Sequence, residues 1–245
     1  GYLDKRIRRH VDGPLNVAQL QYALRALQQD PNVLSLDASL VPSDVQGNGV
    51  LRLEVADQPR FSFGFGADNH SSSSTGAERA RLEFTARNLM GRGGVLQLST
   101  GLSEGGDDGS LVFSLPISPK NALMTLYATT SDADIIEQRF NVLDIQSQTE
   151  ARGLVFSLPV RDRLEGRFAF TLGAESNHSE TTLSDMPFSF SPGAQDGVSE
   201  TAVALAGFDW VKRGSRSVGG IRMTYRNGID ALDATIFEPV TSLDY

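Results

Sequence analysis

The sequence predicts a mainly β fold: a partial antiparallel transmembrane β-barrel of about nine strands, preceded by a small α/β unit. Three observations predict it. Within residues 77–102, Ala80, Leu82, Phe84 and Ala86 alternate with Arg79, Arg81, Glu83, Thr85 and Arg87; after a glycine-rich turn, Leu96, Leu98, Thr100 and Leu102 alternate with Val95, Gln97, Ser99 and Gly101. This is the period-2 pattern of a hairpin with one apolar and one polar face. Second, the strands are long. A soluble sandwich also alternates, but over strands of about 5–6 residues; runs of about 10, apolar outside and charged inside, suit a barrel that encloses water within a bilayer. Third, the connections after the second, fourth, sixth and eighth predicted strands are short, and those after the first, third, fifth and seventh are longer and polar. Membrane-spanning β-barrels do this, whereas a soluble meander gives no reason for it.

Composition excludes other classes. The 245 residues fit one or two domains. Cysteine is absent, so there is neither a disulfide framework nor thiolate chemistry. A net charge of -8 argues against a general nucleic-acid binder, which needs a basic face. No apolar run approaches the ~18 residues of a transmembrane helix, a test that a β-barrel escapes because only every second residue meets lipid. The chain opens on Gly1-Tyr2-Leu3-Asp4-Lys5 with no visible signal peptide and closes on Leu243-Asp244-Tyr245. It reads as a piece cut at both ends.

Residues 1–57 read as the α/β unit. Residues 3–10 form a short basic helix. A second helix starts at Pro14-Leu15-Asn16, with Asn16 as N-cap and Gln19 at the capping-box position. Val17, Leu20, Ala23, Leu24 and Leu27 share one stripe at helical spacing, and Asp30-Pro31 stops the helix. Strands follow at 33–40 and 49–56, separated by a turn-rich loop at 42–48, and 57–59 links the unit onward.

Residues 60–245 read as barrel. Phe61, Phe63 and Phe65 mark the first strand, followed by a serine-rich loop at 68–76. The hairpin supplies the second and third. A polar loop at 104–109 precedes the fourth strand, which carries Leu111, Phe113 and Leu115. The fifth runs over 122–130 and a long loop over 131–148. Leu154, Phe156 and Leu158 mark the sixth, with a charged turn at 159–163. Phe168, Phe170 and Leu172 mark the seventh, and the longest loop covers 176–199. The eighth spans 200–211, a turn covers 212–215, and Ile221, Met223 and Tyr225 mark the ninth. The alternation places Arg79, Arg81, Glu83, Arg87, Arg152, Glu165, Arg167, Glu175, Arg222 and Arg226 on the water-filled side. Lipid exposure at the midplane would cost each arginine about 2–4 kcal/mol. Their plain role is a solvated pore wall; contact with a passing chain is the sharper one.

No catalytic or metal constellation is legible. His10, His70 and His178 are far apart in sequence, Asp107-Asp108 fits an exposed loop, and Gly91-Arg92-Gly93-Gly94 lacks the Gly-Lys-Ser/Thr ending of a phosphate loop. The expectation is no enzyme, no cofactor, no metal and no small-molecule substrate. Trp210 and Tyr225 fit either a membrane interface or ordinary packing.

Weak motifs in a fixed order carry a resemblance. Gly13-Pro14-Leu15-Asn16, then Asp30-Pro31-Asn32-Val33, Ala38-Ser39-Leu40-Val41-Pro42 and Gly47 resemble the last POTRA domain of two-partner secretion transporters, the haemolysin-activator and filamentous-haemagglutinin type within the Omp85 superfamily. Asp68-Asn69-His70-Ser71, Thr75-Gly76, Asn88-Leu89 and Leu115-Pro116 resemble that family's first barrel strands. The resemblance covers nearly the whole chain. It implies an incomplete α/β POTRA domain at 1–57 and about nine strands of an expected 16 at 60–245. It also implies a Gram-negative outer-membrane location, with POTRA in the periplasm and outer-membrane lipid around the barrel. The implied partner is a secreted exoprotein, a haemolysin- or adhesin-like β-helical cargo exported without nucleotide. The family's Val-Arg-Gly-aromatic loop tip is not found, since Ala151-Arg152-Gly153-Leu154 sits in a strand. On this reading the cargo adds a strand to the edge at Val33, Leu34, Leu36, Ala38 and Leu40, with Leu20, Leu24 and Leu27 of the helix as groove wall. An ordinary internal strand and helix core is the plainer role for the same residues. An Omp85-type assembly factor and a passive porin are the alternatives.

Overall fold

The computed structural model describes residues 16–28, 30, 32–44, 49–118, 121–138, 140–163, 165–190, 194–231 and 234. The expected helix at 3–10 lies outside them. Helix α1 (Val17–Gln28) begins directly after Asn16, whose carbonyl accepts the amide of Leu20 at 2.9 Å, as an N-cap residue's does. Strands β1 (Val33–Pro42) and β2 (Gly49–Asp57) pair antiparallel in a sheet of their own. Leu27, Val33 and Leu36 form the buried cluster between helix and strands, with Leu24, Leu53 and Val55 packed against it.

The second sheet is built from β3 (Phe61–Asp68), β4 (Arg79–Leu89), β5 (Gly94–Ser103), β6 (Gly106–Pro116), β7 (Leu123–Asp134), β8 (Ile145–Arg163), β9 (Gly166–Leu183), β10 (Met186–Pro187), β11 (Val198–Arg213) and β12 (Val218–Gly228). Nine of these follow one another in an antiparallel path, β3-β4-β5-β6-β7-β8-β9-β11-β12, while two-residue β10 folds back on β9. The nine expected strands are present. Among the described residues β3 and β12 each pair on one side only.

Several connections differ from expectation. The polar loop expected at 104–109 is a two-residue turn, because β6 begins at Gly106 and pairs at once with Ser103. Strict long-short alternation therefore fails after β5. The loops expected at 131–148 and 176–199 are shorter than expected, because β7 continues to Asp134, β8 starts at Ile145 and β9 continues to Leu183; β8 and β9 run for 19 and 18 residues, paired from Ile145↔Leu183 to Arg163↔Gly166. The turn expected at 159–163 is also strand, with a bulge between Pro159 and Arg161.

The register divides the side chains into two faces. Phe63, Phe84, Leu98, Leu111, Ala128, Arg152, Ser176 and Ala202 are successive cross-strand partners, so they share one face. That face carries most of the sheet's exposed apolar side chains, up to 82% exposure at Phe63. Its apolar band does not follow the row. In β3 the band centres on Phe63, which lies in the row. In β12 it centres on Met223, six residues from Ile229, whose amide bonds the Ala202 carbonyl that closes the row. Six residues are about 20 Å, gained over eight strand spacings of ~4.8 Å. The strands therefore tilt by about 30° against the band, close to the ~35–45° of closed barrels.

Candidate functional site

The other face holds the charges. On β4, residues 79, 81, 83, 85 and 87 alternate away from Leu82 and Phe84, and their register partners on β3 and β5 are Ser62, Gly64, Gly66, Asp68, Val95, Gln97, Ser99, Gly101 and Ser103. The small partners leave room for long side chains to lie across the sheet. Arg79 reaches over Gly101 to form an ion pair with Asp108 on β6, two strands away. Arg81 lies 3.8 Å from Asp68, and Arg87 donates to Ser62 Oγ at 3.0 Å.

A second polar ladder crosses β7 to β12. Tyr127, Gly153, Glu175, Val203 and Gly228 form one row on this face. The Tyr127 hydroxyl donates to Glu175 Oε2 at 2.9 Å across Gly153, where a Cβ would lie within 2.6 Å of the tyrosine ring. Arg226 Nη1 meets Glu175 Oε1 at 3.2 Å from the other side. The carboxylate thus ties β7 to β12 across three intervening strands, and its side chain is only 10% exposed. Arg222 pairs with its direct neighbour Asp209 at 3.0 Å, and Arg167 donates to Ser157 Oγ at 3.2 Å. These pairs satisfy most of the charge on this face, while Arg81 Nε and Arg167 Nε are buried without a hydrogen-bond partner.

Of the ten residues expected on the water-filled side, Arg79, Arg81, Glu83, Arg87, Glu175, Arg167, Arg222 and Arg226 share this polar face of the sheet. Two do not. Arg152 shares the apolar face with Leu154 and Phe156, because its strand parity is theirs. Strand tilt has carried it past the apolar band, which in β8 centres on Phe156. Glu165 sits in the turn between β8 and β9, outside the alternation. Asp108 and Asp209, which complete the ion pairs, were missed. The signal was available for Asp209, which alternates with Phe208 and Trp210.

The expected groove separates into two sets. Leu20, Leu27, Val33 and Leu36 are buried and Leu24 packs against them, so they form the core of the α/β unit. Leu34, Ala38 and Leu40 are exposed on β1, whose only strand partner among the described residues is β2. At the N-terminal end of β1, the Asn32 side chain donates to the Gly93 carbonyl in the β4–β5 turn at 3.2 Å. The α/β unit therefore touches the end of the sheet that carries the β4–β5, β6–β7, β8–β9 and β11–β12 connections.

The family model for haemolysin secretion/activation proteins ShlB/FhaC/HecB matches residues 47–237. No curated protein sequence matches. Among solved structures the chain is similar to CdiB from Escherichia coli, with a TM-score of 0.71 at 16% identity, over 94% of this chain and 44% of that one. It is similar to BamA from Haemophilus ducreyi lacking POTRA domains 1–3, with a TM-score of 0.62 at 13% identity, over 95% and 46%. CdiB from Acinetobacter baumannii gives 0.62 at 14% identity, over 93% and 43%. The chain thus spans less than half the length of these structures, and the likeness establishes an Omp85-like barrel fold. The family match covers well over half of the sequence, and the chain belongs to the ShlB/FhaC/HecB haemolysin secretion/activation family.

Proposed function

We propose that this chain supplies part of an outer-membrane translocator whose α/β unit, a POTRA domain in the periplasm, captures an unfolded secreted partner that the barrel then exports. The observation that carries this reading is the division of the sheet into two faces. Phe63, Leu82, Ile221 and Met223 expose apolar surface on one side, while Arg79–Asp108 and Tyr127–Glu175–Arg226 satisfy one another on the other. Such a sheet suits a lipid boundary outside and a water-filled conduit inside. Transport involves no chemical step on this reading, and folding of a β-helical exoprotein outside the cell supplies the direction.

Capture uses the exposed edge of β1, where an extended cargo segment adds backbone hydrogen bonds and Leu34 and Leu40 offer apolar contacts. The test is co-purification of the full-length protein with its secreted partner. Leu34→Asp with Leu40→Asp is expected to abolish capture while the protein remains in the outer membrane. Undiminished capture would rule out the edge. Leu36 is unsuitable for this test because it is core. An Omp85-type assembly role is the second reading, favoured by the fold likeness to BamA. It predicts general loss of outer-membrane proteins on depletion, whereas a dedicated translocator predicts loss of one exoprotein.

A further inference from the structure

We propose that Arg152 anchors a phosphate of an outer-leaflet glycolipid on the outside of the barrel; this rests on the membrane placement above. Arg152 is exposed on the apolar face, and among the described residues it has no ion-pair or hydrogen-bond partner. One register row towards the band lie Leu126, Leu154 and Ala174; one row the other way lie Thr130, Glu150, His178 and Glu200. The arginine therefore stands where apolar surface ends and polar surface begins.

Its depth follows from the strand. Arg152 is four residues from Phe156, the centre of the β8 band, which is ~11 Å along the membrane normal at the tilt found above. Half of a ~25 Å band is ~12 Å, so the guanidinium reaches the level where acyl chains give way to headgroups. It lies away from the end where Asn32 meets Gly93, hence on the outer leaflet side. No other arginine or lysine on this face of the described strands occupies that rim: Arg161, Arg163 and Lys212 lie at the opposite end.

Arg152 also has a receptacle. Together with Leu111, Ala128, Ser176, His178 and Glu200 it lines a depression of about 700 Å³. Ser110, Thr129, Ala151 and Asn177, which alternate with these residues, also line it. The polarity is graded. Leu111 and Ala128 border it on one side. Across it, His178 Nδ1 lies 3.0 Å from Glu200 Oε1, and Glu150 stands two residues along the strand. A phosphate fits against Arg152, as guanidinium binds phosphate with paired N–H donors. A second phosphate above the first would meet Glu150. Sugar hydroxyls, which can donate to carboxylates, suit that position. The ligand is thus a phosphorylated sugar headgroup with acyl chains running down the band, and neither a bare anion nor a polyphosphate.

The experiment is native mass spectrometry of the full-length protein, extracted from outer membranes and titrated with purified phosphorylated lipid A. Arg152→Gln is expected to weaken binding about tenfold, the scale of one charged hydrogen-bonded contact. Arg152→Lys, which keeps the charge and loses the fork, is expected to fall between. Dephosphorylated lipid A is expected to bind wild type no better than phosphorylated lipid A binds the glutamine variant. Equal binding by wild type and Arg152→Gln overturns the proposal. So does full displacement by inorganic phosphate, which would make this a free-anion site. Heat-modifiable gel mobility of each variant separates the causes. A barrel in the outer membrane that shows no Arg152 dependence removes only the lipid site. Absence of the protein from that membrane removes the placement on which it rests.

Discussion

Asn32 and Gly93 are 61 residues apart, yet the Asn32 side-chain amide donates to the Gly93 carbonyl at 3.2 Å and thereby joins the α/β unit to a barrel turn. The same side chain donates to Asp30 Oδ1 at 3.2 Å, and Asp30 is buried. On the barrel side, Asn88 Oδ1 accepts the Gly93 amide at 3.1 Å and so orients the carbonyl. Each contact is rigidly placed by its own unit, so the link fixes direction as well as proximity. Asn32→Ala is expected to release the unit at a cost of about 1 kcal/mol, the usual net value of one hydrogen bond. The exposed Arg60 in the connection reports this directly. Tryptic cleavage there should accelerate about fivefold in the variant, and an unchanged rate would mean that other contacts hold the unit.

Gly153 should resist any side chain, because a Cβ there would lie 2.5 Å from Tyr127 Cζ. Gly153→Ala is expected to push the ring off Glu175 and lower stability by about 1–3 kcal/mol, the range for overpacking. Tyr127→Ser removes the obstructing ring. Gly153→Ala in that background should then be nearly silent. The double-mutant cycle, read by thermal unfolding of the heat-modifiable form, checks this; additive effects would show that the ring and the glycine do not interact.

Glu175 joins Tyr127 to Arg226 and is almost fully covered. Replacing it by Gln keeps a hydrogen-bond acceptor for Tyr127 but leaves Arg226 without its counter-charge. The wall gains one net positive charge, so pores of the full-length protein in planar bilayers should shift their reversal potential towards anions. Glu175→Gln with Arg226→Gln should restore the wild-type value. A Glu175→Gln pore with unchanged selectivity would place the pair outside the conducting path.

What the sequence made legible was local. Alternation on β4 and β5 needs only neighbours in the chain, and it placed Arg79, Arg81, Glu83 and Arg87 on one face and Leu82 and Phe84 on the other. The helical stripe Leu20, Ala23 and Leu27 was legible for the same reason, though as core rather than groove. Depth in the membrane was not legible. It depends on tilt accumulated across the sheet, so at Arg152 the charge points to the lumen while the alternation places the residue on the apolar face. The extensions of β8 and β9 were hidden by a related effect. Gln146, Ser147, Gln148 and Thr149, like Asn177, His178, Ser179 and Glu180, are polar on both faces. Beyond the bilayer both faces meet water, so the strand persists by pairing after its alternation has ceased.

The two faces of β4 offer the sharpest test of the membrane reading, because adjacent residues must respond oppositely to one substitution. Phe84 packs against Phe63 with ring centroids 5.0 Å apart and stands on the apolar face, while its neighbour Thr85 points to the wall with Arg87. Phe84→Arg places a guanidinium within the band and is expected to cost about 2–4 kcal/mol in addition to the lost aromatic contact. Thr85→Arg adds one more cation to a surface that already holds several and should assemble at close to wild-type yield. Outer-membrane yield and heat-modifiable mobility of the two variants decide the matter. A soluble sheet with one face packed on a second layer shares that order of sensitivity, so the compartment decides: wild type and Thr85→Arg recovered in the outer membrane with heat-modifiable mobility support the lipid boundary, and their recovery as soluble protein overturns it.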